Sequence, residues 1–189
     1  MAEHGFEAAT LAHVVEESGV PMSSVYHYYG SKNGILLAVM ERGAARFFAE
    51  LDEASVPRGG PEEHIAGFVS ETIRALDRNP NFLRLLIALA TQPLGGDASE
   101  IGAVVGRVRA EARRRLRVQL AIAFEDDPDA PDIGQLVRFA LAAFDGAFVA
   151  SQADPDVTLG EVLEPLAGAL ADGRRRSADS RARTATRTA

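Results

Sequence analysis

Residues 20–32 read Val-Pro-Met-Ser-Ser-Val-Tyr-His-Tyr-Tyr-Gly-Ser-Lys, a short aromatic and polar run that follows the compact segment 10–18. As a helix over residues 22–28, at 100° per residue, the run carries Val25 and Tyr29 on one side. The opposite side carries short or polar side chains: Ser23, Ser24 and His27. One anchored face and one face of small hydrogen-bonding groups suit a helix that reads base edges in the major groove of DNA.

The turn after this helix carries its own signals. Gly30 breaks the helix, Ser31 is a good N-cap, and Lys32 opens the next helix. A lysine at the positive end of a helix dipole is unfavourable by itself, by about 0.3–1 kcal/mol. Its position makes sense if a phosphate binds there, because free N–H groups and the ammonium both attract one. The alternative is an exposed lysine without a function.

Three consecutive segments resemble the helix-turn-helix of the tetracycline-repressor (TetR) family. They are Gly5-Phe6-Glu-Ala-Ala-Thr10-Leu, Val14-Val-Glu-Glu-Ser-Gly19-Val20 and Ser24-Val-Tyr-His-Tyr-Tyr-Gly-Ser-Lys32. The likeness runs without a gap from about Glu3 to Met40 and is most specific over residues 26–32. It implies a homodimeric one-component transcriptional regulator, usually a repressor that leaves double-stranded operator DNA when a small-molecule inducer binds.

The side chains expected to contact DNA divide into two groups. Base contacts are expected from Ser23, Ser24 and His27. Phosphate contacts are expected from Thr10, Tyr26, Tyr28 and Lys32. Thr10 can equally serve as a plain helix N-cap. Met22 stands where small or basic residues are frequent in the family, and it can touch a thymine methyl group instead.

The N-terminal segment is acidic for a DNA-binding module. The chain has a net charge of −7, and within residues 1–49 three basic side chains stand against five acidic ones. In the family, a first helix normally precedes Gly5-Phe6, and only Met1-Ala-Glu-His stands before it here. We expect that the chain begins too late and lacks most of this helix. The alternative is a natural variant with impaired DNA binding.

Composition bounds the class of protein. A chain of 189 residues with 47% hydrophobic content can bury one core, or one core and a small module. The absence of cysteine excludes disulfides, thiol catalysis and cysteine-based metal sites. The N-terminus has no signal-peptide pattern, and the longest purely apolar runs, such as 85–90, are too short to span a bilayer. We expect a cytoplasmic protein without a membrane partner.

Helical periodicity without a strand pattern predicts an all-α fold. A helix-turn-helix DNA-binding module with a truncated first helix is expected over residues 1–48. A helical ligand-binding and dimerisation domain is expected over 49–173, and a disordered tail over 174–189. One helix is expected to run from Ser31 to about Ala54 and to serve both domains.

Two local signals mark the last helix of the larger domain. Thr158 and Glu161 have the spacing of a capping box at its start. Pro165 is expected to kink it.

A ligand site is expected in the larger domain. Gln119 interrupts an apolar stripe and points inward, so its amide needs a partner, either a ligand or a neighbouring side chain. The expected wall and anchor residues are Phe68, Thr72, Leu86, Leu89, Ala112, Leu116, Gln119, Phe144 and Phe148. Further polar points are Asp145, Thr91 and Gln92. Such a lining favours a small, largely hydrophobic molecule with one or two hydrogen-bonding groups.

A dimer interface is expected on the last two helices. The helix over 132–153 carries two apolar stripes, and a helix with two apolar faces must bury both. The expected interface residues are Leu136, Phe139, Ala143, Ala147, Ala150, Leu159, Val162, Leu163 and Leu166. Two such helices from each subunit make a four-helix contact, which the resemblance also implies.

No constellation of catalytic residues is found, and no cofactor or metal is expected. His13 with Glu16 and Glu17 has a spacing that can bind a metal, but no other histidine lies nearby in sequence, which favours surface pairing. Two alternatives to a regulator remain open. One is a helical ligand-binding protein with lost or impaired DNA binding, and the other is an all-helical enzyme.

Overall fold

The computed structural model describes residues 19–51, 59–91 and 98–188. Every element of regular structure in these ranges is an α-helix, which confirms the all-α prediction. The helices are α1 (Met22–Tyr29), α2 (Lys32–Ala49), α3 (Pro61–Arg78), α4 (Pro80–Ala90), α5 (Ala98–Phe124), α6 (Pro131–Ala153), α7 (Leu159–Leu163) and α8 (Leu166–Thr188). The expectations for Thr10, His13 and Gln92 lie outside the described residues.

The described residues form two compact units, and their division differs from the predicted one. The first unit contains the chain up to Glu50 together with residues 78–109. The second contains residues 51–77 and the chain from Ala110 onward. The sequence assigned residues 78–109 to the larger domain, but the structure groups them with the helix-turn-helix, because α4 packs on α2.

The packing of α4 on α2 is close. The ring of Phe82 stacks on that of Phe47 with 5.2 Å between their centroids. A Cβ at Gly43 would lie 3.1 Å from the Phe82 ring, so the absence of a side chain at this position allows the approach. At the end of α2, the Glu50 carboxylate accepts hydrogen bonds from Asn79 Nδ2 at 3.0 Å and Arg78 Nε at 2.6 Å. These bonds hold the pKa of Glu50 below its usual value.

The helix α2 is shorter than predicted. It ends at Ala49, and the N–H of Glu50 turns back to the Phe47 carbonyl. The sequence extended this helix to about Ala54, because the apolar spacing continues through Leu51. All of α2 therefore belongs to the first unit, and Leu51 begins the second.

The second unit is built around α6, which packs against α7 and α8. Ile133, Val137 and Ala140 on α6 are at most 1% exposed, and Leu163 and Leu170 on its partner helices are equally buried. By length and mean hydropathy, α6 is the one helix in the described ranges that could span a membrane. Its most apolar face is instead packed inside the unit.

The local signals at α7 are confirmed, and the chain after them differs from the prediction. Thr158 and Glu161 form the capping box, and Pro165 separates α7 from α8 instead of kinking one helix. The structure continues α8 to Thr188, where a disordered tail was expected over 174–189. At the start of this segment, the Arg174 guanidinium pairs with Asp126 and Asp132 and ties this part of the helix to the unit.

Candidate nucleic-acid interface and ligand site

The helix α1 presents almost all of its side chains outward. Of its eight residues, all of them described, Val25 alone is buried. Tyr28 is 79% exposed and Tyr26 is 52% exposed, and Ser23 and His27 are also exposed. The His27 and Tyr28 rings meet edge to face with 5.3 Å between their centroids. This short helix therefore has a surface of hydroxyl and imidazole groups on a single apolar anchor.

The turn that follows fixes how α1 meets α2. Gly30 has a φ of 67°, and its N–H donates to the Tyr26 carbonyl at 3.0 Å. The Ser31 hydroxyl accepts from the Gly34 N–H at 3.1 Å, which confirms the predicted N-cap. A Cβ at Gly34 would stand 1.9 Å from the Tyr29 carbonyl oxygen, so a side chain does not fit there. Caps and close approach together set the angle between the two helices.

The structure places the expected DNA contacts unevenly. Ser23, Tyr26, His27 and Tyr28 are exposed on α1, and Met22 and Ser24 are half-buried on the same helix. Lys32 opens α2, but its side chain lies outside the described atoms, as does the whole of Thr10. Tyr29, which the helical spacing placed beside Val25 as an anchor, is 45% exposed.

A buried pair in the second unit supplies the partner that Gln119 requires. Nε2 of His64 lies 2.9 Å from Oε1 of Gln119. Both residues are buried, with His64 5% and Gln119 1% exposed. His64 was not predicted from the sequence as a site residue, although it precedes Phe68 and Thr72 by one and two helical turns. That spacing is the signal that could have placed it on the inward face of α3.

The other expected ligand residues are core residues of two different units. Phe68, Thr72, Ala112, Leu116, Phe144 and Phe148 lie in the second unit, all of them buried except the half-buried Ala112. Leu86 and Leu89 lie in the first unit, where both are buried. The hydroxyls of Thr72 and Thr91 donate to carbonyls of their own helices, at Phe68 and Ile87. Asp145 is half-buried on α6.

A cavity of about 370 Å³ lies in the second unit. It is lined by Gly59, Gly60, Pro61, His64, Ile122, Ala123, Phe124, Glu125, Arg174, Arg175 and Ala178. None of the nine residues predicted for the ligand site is among them. The cavity is nevertheless linked to one predicted residue, because its wall residue His64 is hydrogen-bonded to Gln119.

The arginines of α5 are largely engaged with carboxylates. Arg107 pairs with Glu41 at 2.7 Å in the first unit. In the second unit, Glu111 accepts from Arg114 and from Arg115, and these bonds lower its pKa to about 2, led by the hydrogen bond from Arg114. Arg115 is buried, and its Nη1 donates to the Leu51 carbonyl at 2.8 Å. This face of α5 therefore holds structural ion pairs.

The expected dimer residues fall into two sets. Leu136, Ala147, Leu163 and Leu166 are buried within the chain itself, at 8% exposure or less. The others remain accessible: Phe139 (51%) and Val162 (40%) are exposed, and Ala143, Ala150 and Leu159 are half-buried. Val149, which the sequence reading did not include, is 52% exposed on the same side of α6 as Phe139.

Residues 1–39 match the family profile described as bacterial regulatory proteins, tetR family. Over these residues the chain is similar to the TetR family. It is similar to the HTH-type transcriptional repressor KstR of Mycolicibacterium smegmatis, with 26% identity over 111 residues, which are 57% of this chain and 54% of the repressor. In this match the chain spans about half the length of its relative.

Two solved structures share the fold of this chain. One is the TetR family transcriptional regulator PfmR from Thermus thermophilus, with a TM-score of 0.67, 19% identity and coverage of 89% of this chain and 90% of that one. The other is a putative transcriptional regulator from Pseudomonas aeruginosa, with a TM-score of 0.70, 24% identity and coverage of 95% and 86%. At these identities the likeness establishes the fold alone.

Proposed function

We propose that this TetR-like chain is a transcriptional repressor of the cytoplasm rather than an enzyme. In this proposal it binds double-stranded operator DNA as a homodimer and releases it when a small, largely hydrophobic molecule binds. The observation that carries the proposal is α1, which buries one of its eight residues and is held by a capped turn. A helix so accessible and so firmly oriented is suited to entering a major groove.

The side chains of α1 have distinct roles in the proposed complex. Ser23, Ser24 and His27 face base edges, where their donors and acceptors discriminate sequences. Tyr26, Tyr28 and Lys32, with Thr10 upstream, contact phosphates and fix the register. The exposure of Tyr26 and Tyr28 supports this division, since both side chains are accessible to a partner.

An accessible apolar stripe on α6 supports the homodimer. This stripe consists of Phe139, Ala142, Ala143, Gly146, Val149, Ala150 and Ala153. Their spacing places them on one side of the helix, and the small residues between Phe139 and Val149 allow close approach of a second helix. Val162 on α7 adds a further exposed apolar group. Contiguous apolar surface of this kind marks contact sites in proteins.

The ligand response requires a molecule that binds one conformation better than the other. A ligand shifts an equilibrium only by its differential affinity for the two states. We propose that it binds in the second unit, with the hydrogen-bonded pair of Gln119 and His64 supplying the polar anchor. Apolar neighbours such as Leu116 and Phe148 favour a hydrophobic body.

The test of DNA binding begins with selection of bound sequences from a random duplex library, followed by titrations at several salt concentrations. Lys32→Ala should weaken binding to all selected sequences alike and reduce the salt slope by about one unit. His27→Ala should change which sequence is preferred. Arg113→Ala, on exposed α5 surface, is the matched control and should change neither. The proposal fails if no duplex is bound, or if Lys32→Ala affects one sequence only.

The homodimer is tested by light scattering at micromolar concentration. Phe139→Arg places a charge in the apolar stripe of α6 and should yield monomers, because an unpaired charge in a helix contact costs several kcal/mol. Gln152→Arg, at the polar edge of the same helix, serves as the control and should leave the dimer intact. A Phe139→Arg protein that stays dimeric would place the interface elsewhere.

A further inference from the structure

The hydrogen bond between His64 and Gln119 determines what His64 can offer to a neighbour. The atom facing Nε2 of His64 is Oε1 of Gln119, a carboxamide oxygen that carries no hydrogen. Nε2 must therefore hold the shared proton. A neutral imidazole has one N–H only, so Nδ1 is then a hydrogen-bond acceptor. Gln119 thus fixes the tautomer of His64.

His64 belongs to two environments at once. It is 5% exposed and bonded to a residue of the core, and it also lines the 370 Å³ cavity. Because Nε2 is used by Gln119, Nδ1 is the ring nitrogen that can serve a molecule in the cavity. An acceptor at this point selects a hydrogen-bond donor such as a hydroxyl group.

The rest of the cavity wall disfavours a charged ligand. Arg174 is paired with Asp126 and Asp132, and Arg175 is paired with Asp172, so both guanidinium groups already have carboxylate partners. The carboxylate of Glu125 in the same wall repels an anion, and the guanidinium groups of Arg174 and Arg175 repel a cation. Between these groups lie apolar side chains: Pro61, Ile122, Ala123 and Phe124.

We infer that this cavity binds a small neutral alcohol, with its hydroxyl donating to Nδ1 of His64 and its apolar body against the walls of α3 and α5. A volume of 370 Å³ is near the lower end of ligand pockets, which suits a molecule with a single ring. The inference rests on the proposed ligand-responsive regulator for its biological role, and it names the class of that ligand. Gln119 acts as a positioning residue, because it reaches the ligand only through His64.

The test uses three probes of the same shape: cyclohexanol, cyclohexanone and cyclohexylamine. Their dissociation constants are measured by chemical-shift titration of the isotopically labelled full chain, without DNA. Cyclohexanol should bind about fivefold tighter than cyclohexanone, because the alcohol can donate one hydrogen bond to Nδ1 of His64 and the ketone cannot. Cyclohexylamine, a cation at neutral pH, should bind more weakly than the alcohol. Equal binding of the alcohol and the ketone, or tightest binding of the amine, would overturn the inference.

Variants separate the role of Gln119 from simple burial. Gln119→Leu removes the oxygen that fixes the tautomer, and the preference for the alcohol should fall below about twofold. Ser151→Ala is the matched control, because the Ser151 hydroxyl lies in the same unit but donates to the Phe148 carbonyl of its own helix, away from the cavity wall. It should keep the fivefold preference. A Gln119→Leu protein that keeps the preference would contradict the positioning role.

A direct measurement on the unmodified chain covers the case in which a variant fails to fold. The nitrogen resonances of the His64 ring should show a protonated Nε2 and an unprotonated Nδ1, and cyclohexanol should shift Nδ1. A protonated Nδ1 beside an unprotonated Nε2 overturns the inference. Since no DNA is present, a chain that binds no operator but prefers cyclohexanol refutes the proposed function and leaves this site standing.

Discussion

The helices α1 and α6 have opposite relations to the interior. Of the eight residues in α1, one is buried, whereas α6 buries nine of its twenty-three. The side chains of α1 are mostly tyrosine, serine and histidine on its outer surface, and those of the buried face of α6 are mostly branched or aromatic. The first helix therefore depends on its two ends for its position, and the second depends on its packing.

This contrast has a consequence for substitution. A side chain in the interior contributes its transfer from water and the contacts that fill its space. An exposed side chain contributes little to folding, and its chemistry is available for a partner. We expect substitutions in α1 to alter the proposed DNA binding with little loss of stability. Substitutions in the face of α6 that packs on α7 and α8 should lower the stability instead.

The largest expected effect separates the two helices directly. Ile133→Ala in α6, at a side chain that is 0% exposed, should lower the free energy of unfolding by about 2–5 kcal/mol. Tyr28→Ala in α1, at a side chain that is 79% exposed, should change it by less than about 0.5 kcal/mol. Urea unfolding followed by circular dichroism measures both. Equal losses in the two variants would remove the contrast.

Loss of the hydrogen bond between His64 and Gln119 should lower the free energy of unfolding, as a substitution in the interior does. Gln119→Leu leaves the Nε2–H of His64 without its acceptor, and the free energy of unfolding should fall by about 1–3 kcal/mol. Gln135→Leu, at an exposed position on α6, is the control for the loss of an amide. Thermal melting of both variants gives the comparison. A stabilised Gln119→Leu protein would mean that the pair is dispensable for folding.

The helix α8 tests whether a polar segment can be held by ion pairs. Arg174→Ala removes the contacts to Asp126 and Asp132, and we expect faster hydrogen exchange after residue 174, with a loss of about 1–2 kcal/mol in local stability. Arg175→Ala removes an exposed pair with Asp172 and should have a much smaller effect. Similar exchange in the two variants would contradict the role of Arg174.

The smallest effect concerns pH. The pKa of Glu111 is lowered from 4.5 to about 2 in the folded chain, so its ion pairs stabilise the fold fully above pH 4.5. That contribution should be lost as the pH falls from 4.5 towards 2, and solvent screening keeps it below about 1 kcal/mol. Glu111→Gln should flatten this part of the profile of melting temperature against pH. An unchanged profile would show that the carboxylate contributes nothing.

The parts of the fold that depend on neighbours in sequence could be predicted. The Ser31 cap and the Thr158 capping box need partners only three residues away, at Gly34 and Glu161. The extent of α1 followed from the apolar position of Val25 and from Gly30. The caps of these short elements and the buried anchor Val25 were therefore predictable from spacing, whereas Tyr29, expected beside Val25, is 45% exposed.

The parts that depend on distant partners could not be predicted. His64 meets Gln119 across 55 residues, and Arg115 meets the Leu51 carbonyl across 64. In the last segment, Arg174 pairs with Asp132, which lies 42 residues earlier. Composition alone made that segment too polar to order itself. Nothing in its own spacing identifies the carboxylates that hold it.

The close approach at Gly34 has a consequence for how new binding specificities could be obtained. A side chain at this position would collide with the Tyr29 carbonyl oxygen. The turn between α1 and α2 therefore does not tolerate substitution of Gly34. The surface of α1 is open to it, since most of its side chains touch little of the protein. A combinatorial library should therefore randomise the outward positions of α1 and keep Val25, Gly30, Ser31 and Gly34 unchanged. Such a library varies the side chains that are available to a partner and keeps the residues that hold α1 in position.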